Sequence, residues 1–343
     1  MSADPSRSKP EVDLRIAAVV NARLRARART LVSQALARLR ESACLVAVLD
    51  TRGDDGDAGR LTDLVARGDL DVLVAAGGDG TVGLAAGALL EARRTESTAL
   101  GFLPLGTGNN AARSFGLRSL RDGEAALRLA LAAITAGPRR EVDVGRVDRR
   151  VFLGSLAIGI DAAVLSLRNE LQRHLERTGL DGGYGLYLGG ALASLLRRQG
   201  GPARIAIDGA WETQTIYGVA AINAPVYAGP LRFDGANDCD DGRLDVLVVS
   251  SAWEYLAEYA SAWPRFLRVL HGRSAAPSPR LRRARQLVVE LERPLCAQAD
   301  GEELEPSASF HVDVLPCALR ICTPRRPAVG LAVSRSAAAG RSR

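Results

Sequence analysis

Lysine is all but missing from this chain. Of 45 basic residues Lys9 is the sole lysine, and the others are arginines. That excludes the lysine-bearing phosphate loop GxxxxGK[ST], so any phosphate must be held by backbone N–H groups, hydroxyls, arginine or metal. Histidine is scarce too. His174, His271 and His311 lie far apart, which argues against a histidine-rich metal site or a serine–histidine triad. His311 falls in the alternating stretch "SFHVDVL" and reads as a strand residue. The five cysteines (Cys44, Cys239, Cys296, Cys317, Cys322) form no CxxC pair. Neither a disulfide framework nor a zinc ribbon is indicated, and reduced, buried thiols are expected. No apolar run reaches the roughly 20 residues that span a bilayer, and "MSADPSRSKPEVD" lacks a secretory apolar stretch. The expectation is a cytoplasmic protein with peripheral membrane contact open to it.

What is present fits a globular chain. The 343 residues suffice for two domains, and 47% hydrophobic with 24% charged residues excludes wholesale disorder. A net charge of +6 and a pI near 9.4 suit an anionic partner: lipid, nucleotide or nucleic acid.

The first third alternates strand-like and helix-like segments. "LRIAAVVN" (14–21), "ACLVAVLD" (43–50), "DVLVAA" (71–76) and "ALGFLPLG" (99–106) are short apolar runs. Between them Leu24, Ala28, Leu31, Val32, Ala35, Leu36 and Leu39 fall at helical spacing, a second helix pattern lies near 58–67, and "TVGLAAGALLEARR" reads as a third. Strands spaced by helices indicate a mostly parallel sheet flanked by helices. Near residue 140 the pattern changes. "REVDVGRVDRRVFLGSLAIG" offers two strands around a polar turn, and "GGYGLYLGGALASLLRR" looks helical. Then strands dominate: "ARIAI", "IYGVAAIN", "RLDVLVVS", "RQLVVELE", "LCAQA", "FHVDVL" and "ALRICTP", with one helical insertion from Trp253 to Val269. That order predicts an α/β nucleotide-binding domain over 11–140 and an antiparallel β-sandwich over 141–324, with a return of the chain's end to the first domain left open. Residues 325–343 read as a flexible basic tail.

Two loops carry the chemical signal. "GGDGT" (77–81) and "PLGTGNN" (104–110) each follow a strand directly, so both open on the carboxyl edge of the sheet, where ligands of such folds sit. Glycine lets backbone approach a phosphate, and helix N-termini present unpaired N–H groups. Thr81 and Thr107 add hydroxyls. Asp79 is out of place beside a phosphate. It suits a helix cap, an indirect metal partner or an acceptor for a substrate hydroxyl. Asn109 either orients the second loop or makes a bare Asx-turn.

These loops, in "VLVAAGGDGTVG" and "LGFLPLGTGNNAARSFGL", resemble the diacylglycerol kinase catalytic-domain family, which includes sphingosine kinases and bacterial lipid kinases. The likeness continues through "EVDVGRVDRRVFLGSLAIGIDAAV", "AAINAPVYAGPLRFDGANDCDDGRLDVLVV", "AQADGEEL" and "VLPCALRICTP", covering about 14–324. NAD kinases share a related glycine–aspartate loop, but their TPTGSTAY-like segment is missing here. The resemblance implies an ATP-binding α/β domain joined to a β-sandwich, with catalysis in the cleft. It implies nucleotide contacts from Gly77, Gly78, Asp79, Gly80, Thr81, Thr107 and Gly108, with Asn21, Thr51 and Asn109 around them. It implies Asp300 as general base with Glu302 beside it, although "ADGEEL" is also a good two-residue hairpin turn. It also implies Mg²⁺ held by Asp238, Asp241 and the carbonyl of Arg243, in an acidic stretch that otherwise reads as a solvated loop. The activity implied is transfer of the ATP γ-phosphoryl group to a lipid hydroxyl at a membrane surface, with a homodimer possible and no nucleic acid partner. Segments 163–200 and 253–270 are expected on the acceptor side.

Three departures from the family pattern stand out. After Asn21 the chain reads Ala22 and then arginines, which either clamp phosphates or form a solvated helix face. Gly83-Leu84 replaces Asn-Glu, and Asn110 replaces an aspartate. They leave open two other readings: a weak or inactive lipid- or nucleotide-binding member, and a soluble kinase like the NAD kinases.

Overall fold

The computed structural model describes residues 14–176, 200–227, 239–270 and 276–325. The apolar runs of the first third become β1 (Arg15–Val20), β2 (Cys44–Asp50), β3 (Val72–Gly77) and β4 (Ala99–Pro104), parallel and in the order β4-β3-β1-β2. Every residue of β3 and β4 is buried, as continuous apolar strands must be when helices cover both faces. Those helices are α1 (Ala26–Ser42), α2 (Gly56–Arg67), α3 (Asp79–Glu91), the single turn α4 (Asn110–Ser114) and α5 (Glu124–Ala136). On α1 the residues Ala28, Val32, Ala35, Leu36 and Leu39 are buried, the stripe that the spacing predicts.

The second lobe is an antiparallel sandwich of β5 (Arg139–Val147), β6 (Arg150–Phe152), β7 (Ser155–Gly159), β8 (Gly201–Ile207), β9 (Ala210–Ile216), β10 (Gly218–Ile222), β11 (Leu244–Val249), β12 (Arg282–Ala284), β13 (Gln286–Ala299) and β14 (Glu302–Cys322). One layer runs β12-β11-β10-β7-β13 and the other β9-β8-β13-β14-β5-β6, so β13 serves both. Ile158, Val219 and Val246 meet Ile205, Leu287, Val289 and Phe310 in one core. Helices α6 (Ile160–Glu176) and α7 (Ala252–Leu270) join Ala220, Ile222 and Leu247 in a separate apolar cluster. Asp161 in the first turn of α6 accepts hydrogen bonds from the hydroxyls of Tyr227 and Tyr255 (both 2.9 Å) and of Tyr259, which ties the two helices together.

Some sequence expectations need correction. "RQLVVELE" and "LCAQA" are one strand, β13, and "FHVDVL" and "ALRICTP" are both parts of β14. Pro294, Pro306 and Pro316 interrupt the sequence pattern, yet the strands bend there with register shifts instead of ending. The stretch 139–159 holds three strands, because Asp148-Arg149 turns β5 into β6 before β7 begins. Strand β9 leaves little signal in the sequence, since its residues are mostly exposed and carry little alternation. The expected helix over 182–198 and the tail beyond Arg325 lie outside the described residues.

The last strand crosses from lobe to lobe. Val312 packs in the sandwich, whereas Leu319, Ile321 and Cys322 sit in the core of the first lobe, where Ile321 pairs with Leu100 of β4. Among described cysteines none is in a disulfide, and burial pushes the Cys239 thiol up to about 12 and that of Cys322 to about 11. Ile321→Ala is therefore expected to cost about 2–5 kcal/mol, the usual range for emptying a packed site. Leu256→Ala, on the 41% exposed side of α7, should stay within about 0.5 kcal/mol. Chemical denaturation of both variants checks the contrast.

Candidate active site

The two glycine loops meet edge to edge. β3 and β4 are neighbours in register, with Gly77 opposite Pro104, and Leu105 N–H donates to the Gly77 carbonyl at 2.8 Å. Gly78 and Gly106 then touch backbone to backbone. A Cβ on Gly106 would lie 2.5 Å from the Gly78 Cα, so neither position has room for a side chain. Asp79 closes the contact. Its Oδ2 accepts from Asn110 N–H and its Oδ1 from Ala111 N–H, both at 3.0 Å. The aspartate that opens α3 thus caps the first turn of α4. Of the three roles left open for Asp79, the cap is the one observed, on the neighbouring helix. Burial pushes its carboxyl above the ordinary range, against these backbone bonds.

Around this pair the other predicted residues serve as braces. Asn21 donates through its backbone N–H to the Ala76 carbonyl (3.1 Å) and through Nδ2 to Thr81 Oγ1 (3.3 Å), and its Oδ1 accepts from Arg23 N–H (2.8 Å). Thr51 Oγ1 accepts from Ala22 N–H at 3.0 Å. Asn109 is buried with φ +50°. Its Oδ1 accepts from Gly106 N–H (2.8 Å) and its Nδ2 donates to the Gly106 carbonyl (3.0 Å). The Asx-type bonds therefore are what orients the loop. Gly108 lies against the Asp79 carboxylate, and exposed Thr107 faces the cleft.

Across the cleft stands the hairpin between β13 and β14. Ala299 pairs with Glu302, leaving Asp300 (φ +50°) and Gly301 (φ +86°) as the two turn residues, both left-handed as a type I′ turn requires. The Asp300 carboxylate accepts three backbone hydrogen bonds. Oδ2 accepts from Leu153 N–H (2.7 Å), and Oδ1 accepts from Gly154 N–H (2.8 Å) and Ser155 N–H (2.9 Å). Burial, aided by the nearby Asp79 charge, outweighs these bonds and raises its carboxyl to about 6. Glu302 differs. It faces the cleft, and a Cβ on Gly80 would collide with its Oε1. Burial raises its carboxyl as well, opposed by Arg150 and Arg23.

The cleft between these parts has a volume of about 1380 Å³ and draws its walls from both lobes. It holds residues the motif reading passed over: Gly106, Arg113, Arg149, Arg150 and Arg168. Arg149 and Arg150 come from the β5–β6 hairpin, whose "DRR" reads as an ordinary polar turn in sequence. The early arginines divide: Arg23 lines the cleft, while Arg29 donates to the Ala22 (2.6 Å) and Leu24 (3.3 Å) carbonyls to close its own loop. From the expected acceptor segments, Leu165 and Arg168 of α6 reach the cleft, but no described residue of 253–270 does, because α7 packs behind α6.

The acidic stretch fares differently. Asp238 lies outside the described residues. Asp241 is ion-paired with Arg283, and its Oδ1 accepts from Arg243 N–H at 2.9 Å. Among the described residues no three acidic, histidine or cysteine side chains gather as a cation would require. Of the set Asp238, Asp241 and the Arg243 carbonyl, only the last two are therefore among the described residues.

Comparison with known proteins agrees with this architecture. The family described as the diacylglycerol kinase catalytic domain matches residues 15–147, and the YegS C-terminal NAD kinase beta sandwich-like domain matches 154–323. A "Probable lipid kinase YegS-like" of Pseudomonas aeruginosa (strain UCBPP-PA14) is 31% identical over 296 residues, 85% of this chain and 89% of that protein. A "Probable lipid kinase YegS" of Salmonella heidelberg (strain SL476) is 36% identical over 126 residues, 37% of this chain and only 40% of the relative's length. The crystal structure of a diacylglycerol kinase from Bacillus anthracis str. Sterne superposes with a TM-score of 0.66 at 19% identity, covering 91% of this chain and 97% of that one, which establishes a common fold.

Glycine substitutions test the contact between loops. Gly106→Ala forces backbone against backbone and should destabilise the protein by about 1–3 kcal/mol, the usual cost of overpacking a close contact. Gly83→Ala meets nothing within 4 Å and should stabilise α3 by about 0.5–1 kcal/mol. Urea denaturation reads both, and equal effects would refute the contact.

Proposed function

The chain belongs to the diacylglycerol kinase catalytic-domain family, and on that premise we propose that it is a lipid kinase moving the γ-phosphoryl group of ATP to a lipid hydroxyl. The observation that carries this reading is the pairing of two glycine loops on one lobe with a cleft-facing carboxylate, Glu302, on the other. Backbone N–H groups at the start of α3 and the hydroxyls of Thr81 and Thr107 offer donors for phosphate oxygens. Arg23, Arg113, Arg149 and Arg150 supply the positive charge that lysine supplies elsewhere. Positioning and charge neutralisation provide most of the catalysis in such a transfer. Magnesium enters with its nucleotide as Mg·ATP and is part of the substrate.

In the transfer a bond forms between the lipid oxygen and the γ-phosphorus while the bond from that phosphorus to the β,γ-bridging oxygen breaks, and ADP leaves. The hydroxyl proton needs an acceptor. Asp300 already takes three backbone N–H groups and Asp79 two, so each spends most or half of its acceptor capacity on holding the loops. Glu302 has its carboxylate available, and a raised carboxyl pKa makes it a better base near neutrality. The proton is assigned to Glu302, with Asp300 positioning the hairpin and Asp79 the loops. The acceptor is a diacylglycerol- or sphingoid-type alcohol met at a membrane surface. None of the described helices is long and apolar enough to cross a membrane, and exposed Trp253 and Leu256 suit peripheral docking.

Purified protein with Mg·ATP and lipid vesicles should show lipid-dependent ADP release and a phosphorylated lipid by mass spectrometry. Glu302→Gln should lower kcat by about 10²-fold or more while ATP affinity changes little. Because the base works ionised and its carboxyl is raised, kcat should fall as pH drops, beginning above the ordinary glutamate range. No turnover with any lipid would favour a binding-only member, and phosphorylation of NAD would favour a soluble kinase.

A further inference from the structure

The turn Leu153–Gly154–Ser155, between β6 and β7, is gripped from both sides. Its three N–H groups go to Asp300. The Ser155 carbonyl accepts from Asp300 N–H, and the other two carbonyls accept from Asn223, the first residue after β10, and its neighbour. Asn223 Nδ2 donates to the Leu153 carbonyl at 2.9 Å, and the backbone N–H groups of Asn223 and Ala224 donate to the Gly154 carbonyl at 2.8 and 3.1 Å. The second Nδ2 hydrogen goes to the Asp143 carbonyl on β5, also at 2.9 Å. Asp143 is itself buried, with its carboxylate accepting from Gly242 N–H (2.6 Å) and Cys317 N–H (2.8 Å).

Asn223 is 1% exposed, and its Oδ1 is buried with no hydrogen-bond partner among the described residues. An orphaned buried acceptor is unfavourable, because it gives up its bond to water and gains none. Rotating the amide to relieve it would set oxygen against two carbonyl oxygens and lose both donors. The side chain is therefore held for what it donates, and an aspartate of the same shape cannot replace it. A buried group that sacrifices one atom to fix two others calls for a reason, and the reason lies one layer away. The turn it grips is the turn that fixes Asp300, and two residues beyond Asp300 is Glu302.

We propose that Asn223 is a positioning residue, whose amide fixes the Leu153–Ser155 turn and through it sets the Asp300 hairpin and the Glu302 carboxylate opposite the glycine loops. Its activity readout rests on the lipid kinase reading; its structural readout does not.

The test combines amide hydrogen exchange with kinetics. In Asn223→Ala the Leu153, Gly154 and Ser155 amides should exchange about tenfold faster, as expected for a turn that has lost one anchoring bond. The Asn110 and Ala111 amides in the other lobe should keep their rates. kcat should fall at least about tenfold, since small misplacements at a reacting group cost that much or more, while KM for Mg·ATP holds. In Asn223→Asp the charged side chain should cost more at neutral pH. It should recover in part as the medium is acidified, where the neutral acid donates to one carbonyl, opposite in slope to the parent. Asn223→Ser serves if Asn223→Ala fails to fold. Unchanged exchange at 153–155, or a parent-like pH profile in Asn223→Asp, overturns the proposal. If the parent protein shows no lipid-dependent turnover, the function fails, and the exchange arm alone decides the positioning.

Discussion

One carboxylate joins the two halves of the nucleotide edge. Without Asp79 the loops after β3 and β4 would be neighbours held only by the Leu105 bond to Gly77 and by the contact of two glycines. With it, the N-terminus of α4 is fastened to the N-terminus of α3, so both loops line the same cleft. Burying a charge is unfavourable, and the raised carboxyl of Asp79 is the sign of that cost. Two charge-assisted backbone bonds at a helix N-terminus offset it.

The same device recurs. Asp57 accepts from Arg52 and Gly53 N–H groups, Asp143 from Gly242 and Cys317, Asp208 from Arg285 and Gln286, and Asp300 from the 153–155 turn. Each carboxylate organises a turn remote from it or just beside it by satisfying N–H groups that have no partner in the sheet. In a chain rich in aspartate near its chemistry, most of these side chains shape loops. Of the carboxylates that line the cleft, Glu302 shapes no turn in this way.

Shared strands give the cleft its geometry. β13 belongs to both layers of the sandwich, and β14 runs from the hairpin at Asp300 into the core of the first lobe beside β4. The acceptor-side carboxylate and the sheet that carries the glycine loops are therefore linked by one continuous strand. Arg149 and Arg150 arrive from the β5–β6 hairpin, whose parent strand β5 pairs with that same β14.

The fold class is legible in the chain, because apolar runs spaced by amphipathic helices admit a parallel sheet and runs of strands admit a sandwich. The sequence by itself also determined that both glycine loops open on one edge, since each follows a strand of the same sheet, and the hairpin at Asp300, since Asp-Gly favours left-handed φ. Tertiary structure decided which carboxylates hold loops and which does not, for that depends on backbone N–H groups scores of residues away: 31 and 32 for Asp79, 145 to 147 for Asp300. It likewise decided that "DRR" faces the cleft, that β13 and β14 run on through their prolines, and that Asn223 stands behind the Leu153–Ser155 turn. Hydrogen bonds across such separations leave no local period or spacing in the chain, so only the folded backbone reveals them.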